Sequence, residues 1–323
     1  MEKTKEYDVL IIGAGPIGLV CGIEAKRRNL ESITIEKGCL VNSIFNYPLN
    51  MTFFSSSDRL EIGDVPFITY GHMPTRREAL EYFRRVKQHW DLNIRTYEKV
   101  LTITDHNQGY QITTTKNNYS ARSVIIATGY YDNPNMLHIA GEDLDKVSHY
   151  YDDPYRYVDQ KVAVIGAGNS AIDAALEIYR IGGHVQMVIK ESEIKSTVKA
   201  WIKPDIENRI KEGSIAAFFN SSVQSIDKNS ITVQTPQKII TLENDFVLAL
   251  IGYHPDYNFL EKNGIQITVN DCKLPVCDPD TLETNKNNIF IAGVICGGMD
   301  TARWTIENSR EHAIKIFDHL SKK

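Results

Sequence analysis

Gly13-Ala14-Gly15-Pro16-Ile17-Gly18 and Gly166-Ala167-Gly168-Asn169-Ser170-Ala171 are two turns of one design. An apolar run precedes each, Val9-Leu10-Ile11-Ile12 in the first case and Val162-Ala163-Val164-Ile165 in the second. Each run reads as a strand that ends at the first glycine, and a helix is expected to open within the turn. The first glycine permits the tight bend, the second lets the backbone approach a pyrophosphate, and the last position (Gly18, Ala171) must be small for helix and strand to pack. The helix N-terminus then faces the phosphates. Two ordinary turns that bind nothing would leave the repeated spacing without a cause. The chain is therefore expected to hold two dinucleotides, one per turn.

Working outward, 323 residues suffice for two cores of ordinary domain size. Lys and Arg number 36 against 41 Asp and Glu, giving a formal charge of -5, and no basic stripe stands out. A nucleic-acid partner is not expected. The apolar run before the first turn is too short for a signal segment or a membrane span and is followed at once by glycines, so a cytoplasmic protein without membrane contact is expected. The five cysteines, Cys21, Cys39, Cys272, Cys277 and Cys296, contain no Cys-x-x-Cys pair and no metal-like grouping with histidines. No metal site and no secreted disulfide framework are expected.

The first half reads as strand 8–12, helix 16–28 and strand 32–35, one βαβ unit ending in Glu36. An acid about 20 residues beyond the glycines, at the tip of the second strand, is placed to accept from a ribose 2′-OH. The aromatic-rich stretch 38–72 reads as an ordered excursion covering a ligand, and a helix is expected over 76–90. Short strands with turns at Asn107-Gln108-Gly109 and Asn117-Asn118 make a β-meander over 94–126, ending at Ala127-Thr128-Gly129. The second half repeats the plan, with strand 162–165, helix 170–181, strand 185–189 and later strands near 216–219, 231–234 and 246–251. A final strand over 289–291 and a last helix over about 301–321 follow. The expected fold is α/β with two Rossmann-like domains carrying β-meanders: residues 1–132 with 256–323 for the first nucleotide, and the inserted 133–255 for the second. Hinges are expected near Asp132-Asn133-Pro134 and His254-Pro255.

In their order, the first glycine turn, Ala127-Thr128-Gly129, the second turn, Gly252 and Ile291-Ala292-Gly293 resemble the thioredoxin-reductase-like group of two-dinucleotide flavoproteins over essentially the whole chain. The longer strings Glu36-Lys37-Gly38, Val41-Asn42-Ser43-Ile44-Phe45-Asn46-Tyr47-Pro48, Thr52-Phe53-Phe54-Ser55-Ser56-Ser57 and Leu60-Glu61-Ile62-Gly63-Asp64-Val65 resemble its bacillithiol disulfide reductase subfamily. The resemblance implies FAD at Gly13, Gly15, Pro16, Ile17, Gly18, Glu36, Lys37, Asn46, Thr128, Gly129 and Gly293. It implies a nicotinamide nucleotide at Gly166, Gly168, Asn169, Ser170, Ala171, Lys190 and Gly252. Lys190 follows the strand tip at Ile189, where an NAD site presents an acid, so NADPH is expected, although Glu191 is placed to take a ribose instead.

The chain also departs from the group's pattern. Where thioredoxin reductases carry Cys-x-x-Cys, this sequence has His149-Tyr150-Tyr151-Asp152; where many of the subfamily carry a Cys in the first turn, it has Ile17; and Val294 replaces the acid that often follows the C-terminal Ala-Gly. Cys296 is the remaining candidate redox thiol, since the group's fold brings a helix N-terminus there, and such a terminus lowers a thiol pKa. Cys21, on an apolar helix face, reads as a structural thiol. Cys39 falls near the adenosine end, and Cys272 and Cys277 read as reduced thiols with a labile disulfide as the alternative. His149 reads as a hydrogen-bonded structural histidine.

Three enzyme classes follow from the resemblance. A FAD-dependent NADPH oxidoreductase acting on a low-molecular-weight disulfide such as bacillithiol disulfide comes first. A ferredoxin- or flavodoxin-NADP reductase, with a small redox protein as partner, comes second; the end Leu320-Ser321-Lys322-Lys323 offers no aromatic extension to cover a flavin. A flavin monooxygenase is third, its Gly-x-x-x-His element matched only at the wrong spacing by Gly141 and His149. A non-enzymatic nucleotide sensor is the alternative outside enzymes. Homodimers are common in the group.

Overall fold

The computed structural model describes residues 5–196 and 198–322. These fall into two compact units, one drawn from Met1–Asn133 with Tyr253–Lys323 and the other from Pro134–Gly252. In the first unit, β1 (Glu6–Ile12) enters the glycine turn, α1 (Pro16–Arg27) leaves it, and β2 (Ser32–Ile35) returns parallel to β1 with Leu10 opposite Ile33. Val9 and Ile11 face a core shared with α1, whereas Leu10 and Ile12 face the core on the opposite side, the period of two for a strand buried on both faces. The excursion that follows is ordered and includes α2 (Asn42–Phe45). Helix α3 (Arg76–His89) begins where Thr75 and Glu78 cap one another and presents Ala79, Tyr82, Phe83 and Val86 to the core.

Strands β3 (Ile94–Arg95), β4 (Val100–His106), β5 (Gly109–Thr114) and β6 (Asn118–Ile126) complete the first stretch. Here β6 changes partner along its length. Residues 118–121 pair antiparallel with β5, and Val124, Ile125 and Ile126 pair parallel with a strand arriving from the end of the chain.

The second unit contains β7 (Val147–Ser148), β8 (Lys161–Ile165), α4 (Asn169–Arg180), β9 (His184–Val188), α5 (Lys203–Lys211), β10 (Ala216–Phe218), β11 (Ser222–Asp227), β12 (Ser230–Gln234), β13 (Ile239–Glu243) and β14 (Phe246–Ala249). Five strands form a parallel sheet in the order β10-β9-β8-β14-β7, and β11-β12-β13 form a separate antiparallel sheet. The chain then returns to the first unit through α6 (Tyr257–Lys262), β15 (Ile289–Ile291), a 3₁₀ turn at Val294–Gly297, α7 (Ile306–Ser309) and α8 (Glu311–Leu320). There the sheet order is β3-β2-β1-β6-β5-β4, with β15 on β6. In both units the strand that feeds the glycine turn, β1 or β8, sits where the strand order reverses. The crevice outside the carboxyl ends of the strands at such a point is where open α/β sheets bind ligands.

The last helix differs from expectation. It starts at Ile306, after a capping box of Thr305 and Asn308, and breaks at Arg310 into α7 and α8. Residues 301–304 are held out of it by turns, with the Arg303 N–H on the Asp300 carbonyl. Strands β11 and β13 and helix α5 were not legible; α5 buries only Ile206 and β13 has no fully buried residue, so neither carries a strong apolar period. Among the described residues no helix is long and apolar enough to cross a membrane, and no group of three or more His, Cys, Asp or Glu could hold a metal ion.

Candidate functional site

The two turns repeat the same steric logic. Gly13 has φ of 103° and Gly166 of 117°, and a Cβ would stand 2.6 Å from the Ala127 carbonyl oxygen in the first case and 2.5 Å from that of Leu250 in the second. Both positions therefore require glycine. A Cβ on Gly18 would overlap the Gly13 carbonyl, and Ala171, fully buried, is the small residue at the matching place. Gly15 and Gly168 differ from these. Each is an extended N-cap, with φ of -69° and -77°, a backbone that any residue adopts, and a Cβ on either would meet no protein atom within 4 Å. Nothing in the protein's own packing asks for glycine there; the open space lies at a helix N-terminus, where a phosphate would approach.

In the first unit this space belongs to a cleft of about 1240 Å³ of empty volume, open solvent at its mouth included. Gly13, Gly15, Pro16, Ile17, Glu36, Lys37, Thr128, Gly129 and Gly293 all line it. Gly18 lies beneath the turn. The Asn46 side chain is exposed, its amide donating back to the Asn42 carbonyl at 2.9 Å, and its backbone carbonyl accepts from the hydroxyl of the cleft residue Tyr131 at 3.1 Å, while Asn42, Ser43 and Tyr47 line the cleft.

Glu36 clamps the turn. Its two carboxylate oxygens accept from the N–H groups of Ala14 and Gly38, both at 2.8 Å. Burial pushes its pKa up from the usual carboxylate value, and the two backbone hydrogen bonds oppose that rise. Lys37 pairs with Asp132 at 3.0 Å. The hydroxyl of Thr128, a residue that lines the cleft, is buried and has no hydrogen-bond partner in the protein. Three tyrosines also line it: Tyr47, from the stretch read as covering a ligand, and Tyr130 and Tyr131, which sequence reasoning missed. The rings of Tyr47 and Tyr131 meet edge-on at 4.8 Å, and Tyr131 lies 4.7 Å from Tyr253. Tyr130 and Tyr131 directly follow Gly129, so their adjacency to a site glycine was the available signal.

In the second unit Gly252, with φ of 93°, ends the segment after β14, and Leu250 and Ile251 back the Gly166 turn. Asn169 and Ser170 open α4, and the Asn169 side-chain oxygen accepts from the Lys199 N–H at 3.0 Å. Glu191 is tied to Lys195 at 2.6 Å, which holds its carboxyl below the usual range. Lys190 is exposed, and among the described residues no acid lies within ion-pair distance of it. His149 lies 3.4 Å from Glu142 but makes no hydrogen bond with it, so the expected hydrogen-bonded histidine is a packed one with an ionic neighbour.

All five cysteines are free thiols in the first unit. The expected acidification of Cys296 is corrected. The helix N-terminus proposed for it is a single 3₁₀ turn, and desolvation pushes its thiol pKa well up instead of down. Its sulfur lies 3.7 Å from Nδ1 of His312, a residue that sequence reasoning missed. Burial lowers the His312 pKa to about 4, with Lys315 adding a smaller repulsion. Cys21 is fully buried, as expected of a structural thiol.

A model of the pyridine nucleotide-disulphide oxidoreductase family matches residues 10–293. The chain is 42% identical over 316 residues to bacilliredoxin reductase Bdr of Bacillus subtilis (strain 168), covering 97% of each protein. It matches the structure of bacillithiol disulfide reductase Bdr (YpdA) from Staphylococcus aureus with a TM-score of 0.95 at 43% identity, covering 99% of each chain. The fold is shared more widely: thioredoxin reductase of T. acidophilum matches with a TM-score of 0.77 at 18% identity, over 98% of this chain and 99% of that one.

Proposed function

The chain belongs to the pyridine nucleotide-disulphide oxidoreductase family, and from that premise we propose that it is an NADPH oxidoreductase using FAD to reduce a low-molecular-weight disulfide, bacillithiol disulfide first. The observation that carries the two-nucleotide reading is the pair Gly15 and Gly168, each a glycine that only a ligand requires.

The cleft of the first unit fits FAD. The α1 N-terminus would meet the pyrophosphate, Glu36 retains lone pairs for a ribose beyond its two backbone bonds, and the unpartnered Thr128 hydroxyl would have a polar group to receive. Tyr47, Tyr130 and Tyr131 supply aromatic walls for a planar ring. A bound flavin supplies the two-electron step between nicotinamide and acceptor that no side chain can perform. In the second unit, the Glu191–Lys195 pair withdraws the nearby acid and leaves Lys190 to receive a 2′-phosphate, which favours NADPH over NADH.

No Cys-x-x-Cys stands at 149–152, so a bound flavin would pass electrons to the acceptor's disulfide without a protein dithiol at that place. One NADPH then yields two thiols per disulfide. The enzyme is read as cytoplasmic, where such thiols are kept reduced. The name of the B. subtilis relative, bacilliredoxin reductase, points to a second acceptor, an oxidised bacilliredoxin.

The test mixes the purified protein anaerobically with NADPH, follows flavin bleaching, and adds bacillithiol disulfide, oxidised bacilliredoxin or oxidised ferredoxin in parallel. Rapid reoxidation by bacillithiol disulfide is expected. Reoxidation by one of the proteins alone would move the assignment to that carrier, and absence of bleaching would point to a sensor.

A further inference from the structure

We propose that His312 is a positioning residue for the flavin site, its Nδ1 holding the backbone of Gly293 in place at the wall of the cleft. This rests on the reading of that cleft as the flavin site.

Gly293 follows β15 with φ of 87°, and a Cβ there would press on Ile17 at 3.2 Å, so the glycine brings bare backbone against the first turn. Its neighbour Ala292 is fixed by the sheet, with its N–H on the Ile126 carbonyl at 2.9 Å, and the Gly293 carbonyl accepts from the Cys296 N–H at 3.2 Å. The Gly293 N–H has no backbone partner of that kind. It donates at 3.1 Å to Nδ1 of His312, whose side chain is buried and backed by the Trp304 ring at 4.4 Å. A buried N–H left without an acceptor is costly, so the imidazole does a task the sheet cannot extend to. The bond fixes His312 as the neutral tautomer with its proton on Nε2. Cys296 approaches the same nitrogen as a second, longer donor at 3.7 Å.

His312 is also anchored. Ala313, Ile316 and Phe317 of α8 share a core with Leu19, Val20 and Ile23 of α1, and Arg28 at the end of α1 pairs with Asp318 at 2.5 Å. The helix that opens the first glycine turn and the helix that holds Gly293 are therefore one packed pair. Two places where backbone meets the cleft, Gly15 and Gly293, take their positions from it.

The experiment compares His312→Leu, which keeps bulk and removes the acceptor, with His312→Asn, whose amide oxygen can stand where Nδ1 stands. The readouts are release of FAD on dilution of the holoenzyme, followed by flavin fluorescence, and the flavin absorption spectrum. His312→Leu is expected to weaken FAD by about 5- to 30-fold, the factor carried by one unsatisfied buried donor, with a shifted spectrum. His312→Asn is expected to recover most of the affinity and the wild-type spectrum. Equal FAD retention in wild type and His312→Leu, or equal loss in both variants, would overturn the proposal. If His312→Leu does not fold, His312→Gln, whose amide reaches the Nε2 position instead, takes its place against Asn. Wild-type protein that binds no FAD would overturn the parent reading and not this one alone.

Discussion

Gly15→Val separates what the fold needs from what a ligand needs. The residue has φ of -69° and ψ of 177°, and a Cβ there meets nothing within 4 Å, so the folded backbone accepts valine without a clash. Losing glycine reduces unfolded-state freedom, worth about 0.4–1 kcal/mol. Losing it at an N-cap costs a comparable amount, so the two nearly cancel. Apoprotein stability should stay within about 1 kcal/mol of wild type, a change in Tm of about 2–4 °C for a unit of this size. Binding behaves differently, because the new side chain fills the space through which phosphate reaches the N–H groups of the turn. Two charge-assisted hydrogen bonds at about 1.5–3 kcal/mol each correspond to about 10²- to 10⁴-fold in affinity. The assay is FAD titration of the apoprotein by flavin fluorescence beside thermal melts without FAD. The matched control is Gly13→Val, where φ of 103° and the Ala127 carbonyl at 2.6 Å should impair folding itself. A Gly15→Val protein that melts like wild type and binds FAD with wild-type affinity would refute the reasoning.

Gly168→Val should leave bound FAD untouched and abolish flavin bleaching by NADPH, since its Cβ also enters open space; normal bleaching would remove the second site from this turn. Lys190→Glu should raise the KM for NADPH by about tenfold or more, the scale of one charge-assisted contact, and that for NADH far less; equal shifts would end the 2′-phosphate argument. Cys296→Ala should leave disulfide turnover near wild type because the thiol keeps its proton, and a large loss would restore a redox role. His312 has a folded pKa near 4 against an ordinary 6.5, so the unfolded chain binds the extra proton first and stability falls as pH drops from about 6.5 towards 4. The total is about 3 kcal/mol, and His312→Asn should flatten that part of the profile in urea denaturation at pH 7.5 and 5; an unchanged slope would show that His312 does not set it.

The sequence by itself determined the features that depend on local geometry. The spacing of Gly13, Gly15 and Gly18 states the turn, the alternation of Val9 to Ile12 states a strand buried on both faces, and Glu36 states the end of a βαβ unit, because each is a property of consecutive residues and their backbone angles. The second turn repeats the statement. Within the string 42–48, however, which side chains face the cleft depends on how the segment packs against its neighbours, which lines the cleft with Tyr47 and leaves the Asn46 side chain exposed. Cys296 shows the same limit more sharply. The group's pattern implies a helix N-terminus and an acidified thiol there, while burial among residues distant in sequence implies a protonated one. Desolvation, orphaned groups such as the Thr128 hydroxyl, and the pairing of distant strands such as β6 with β15 arise from groups far apart along the chain. Only the tertiary structure decided those, because each depends on which distant groups share a dry space.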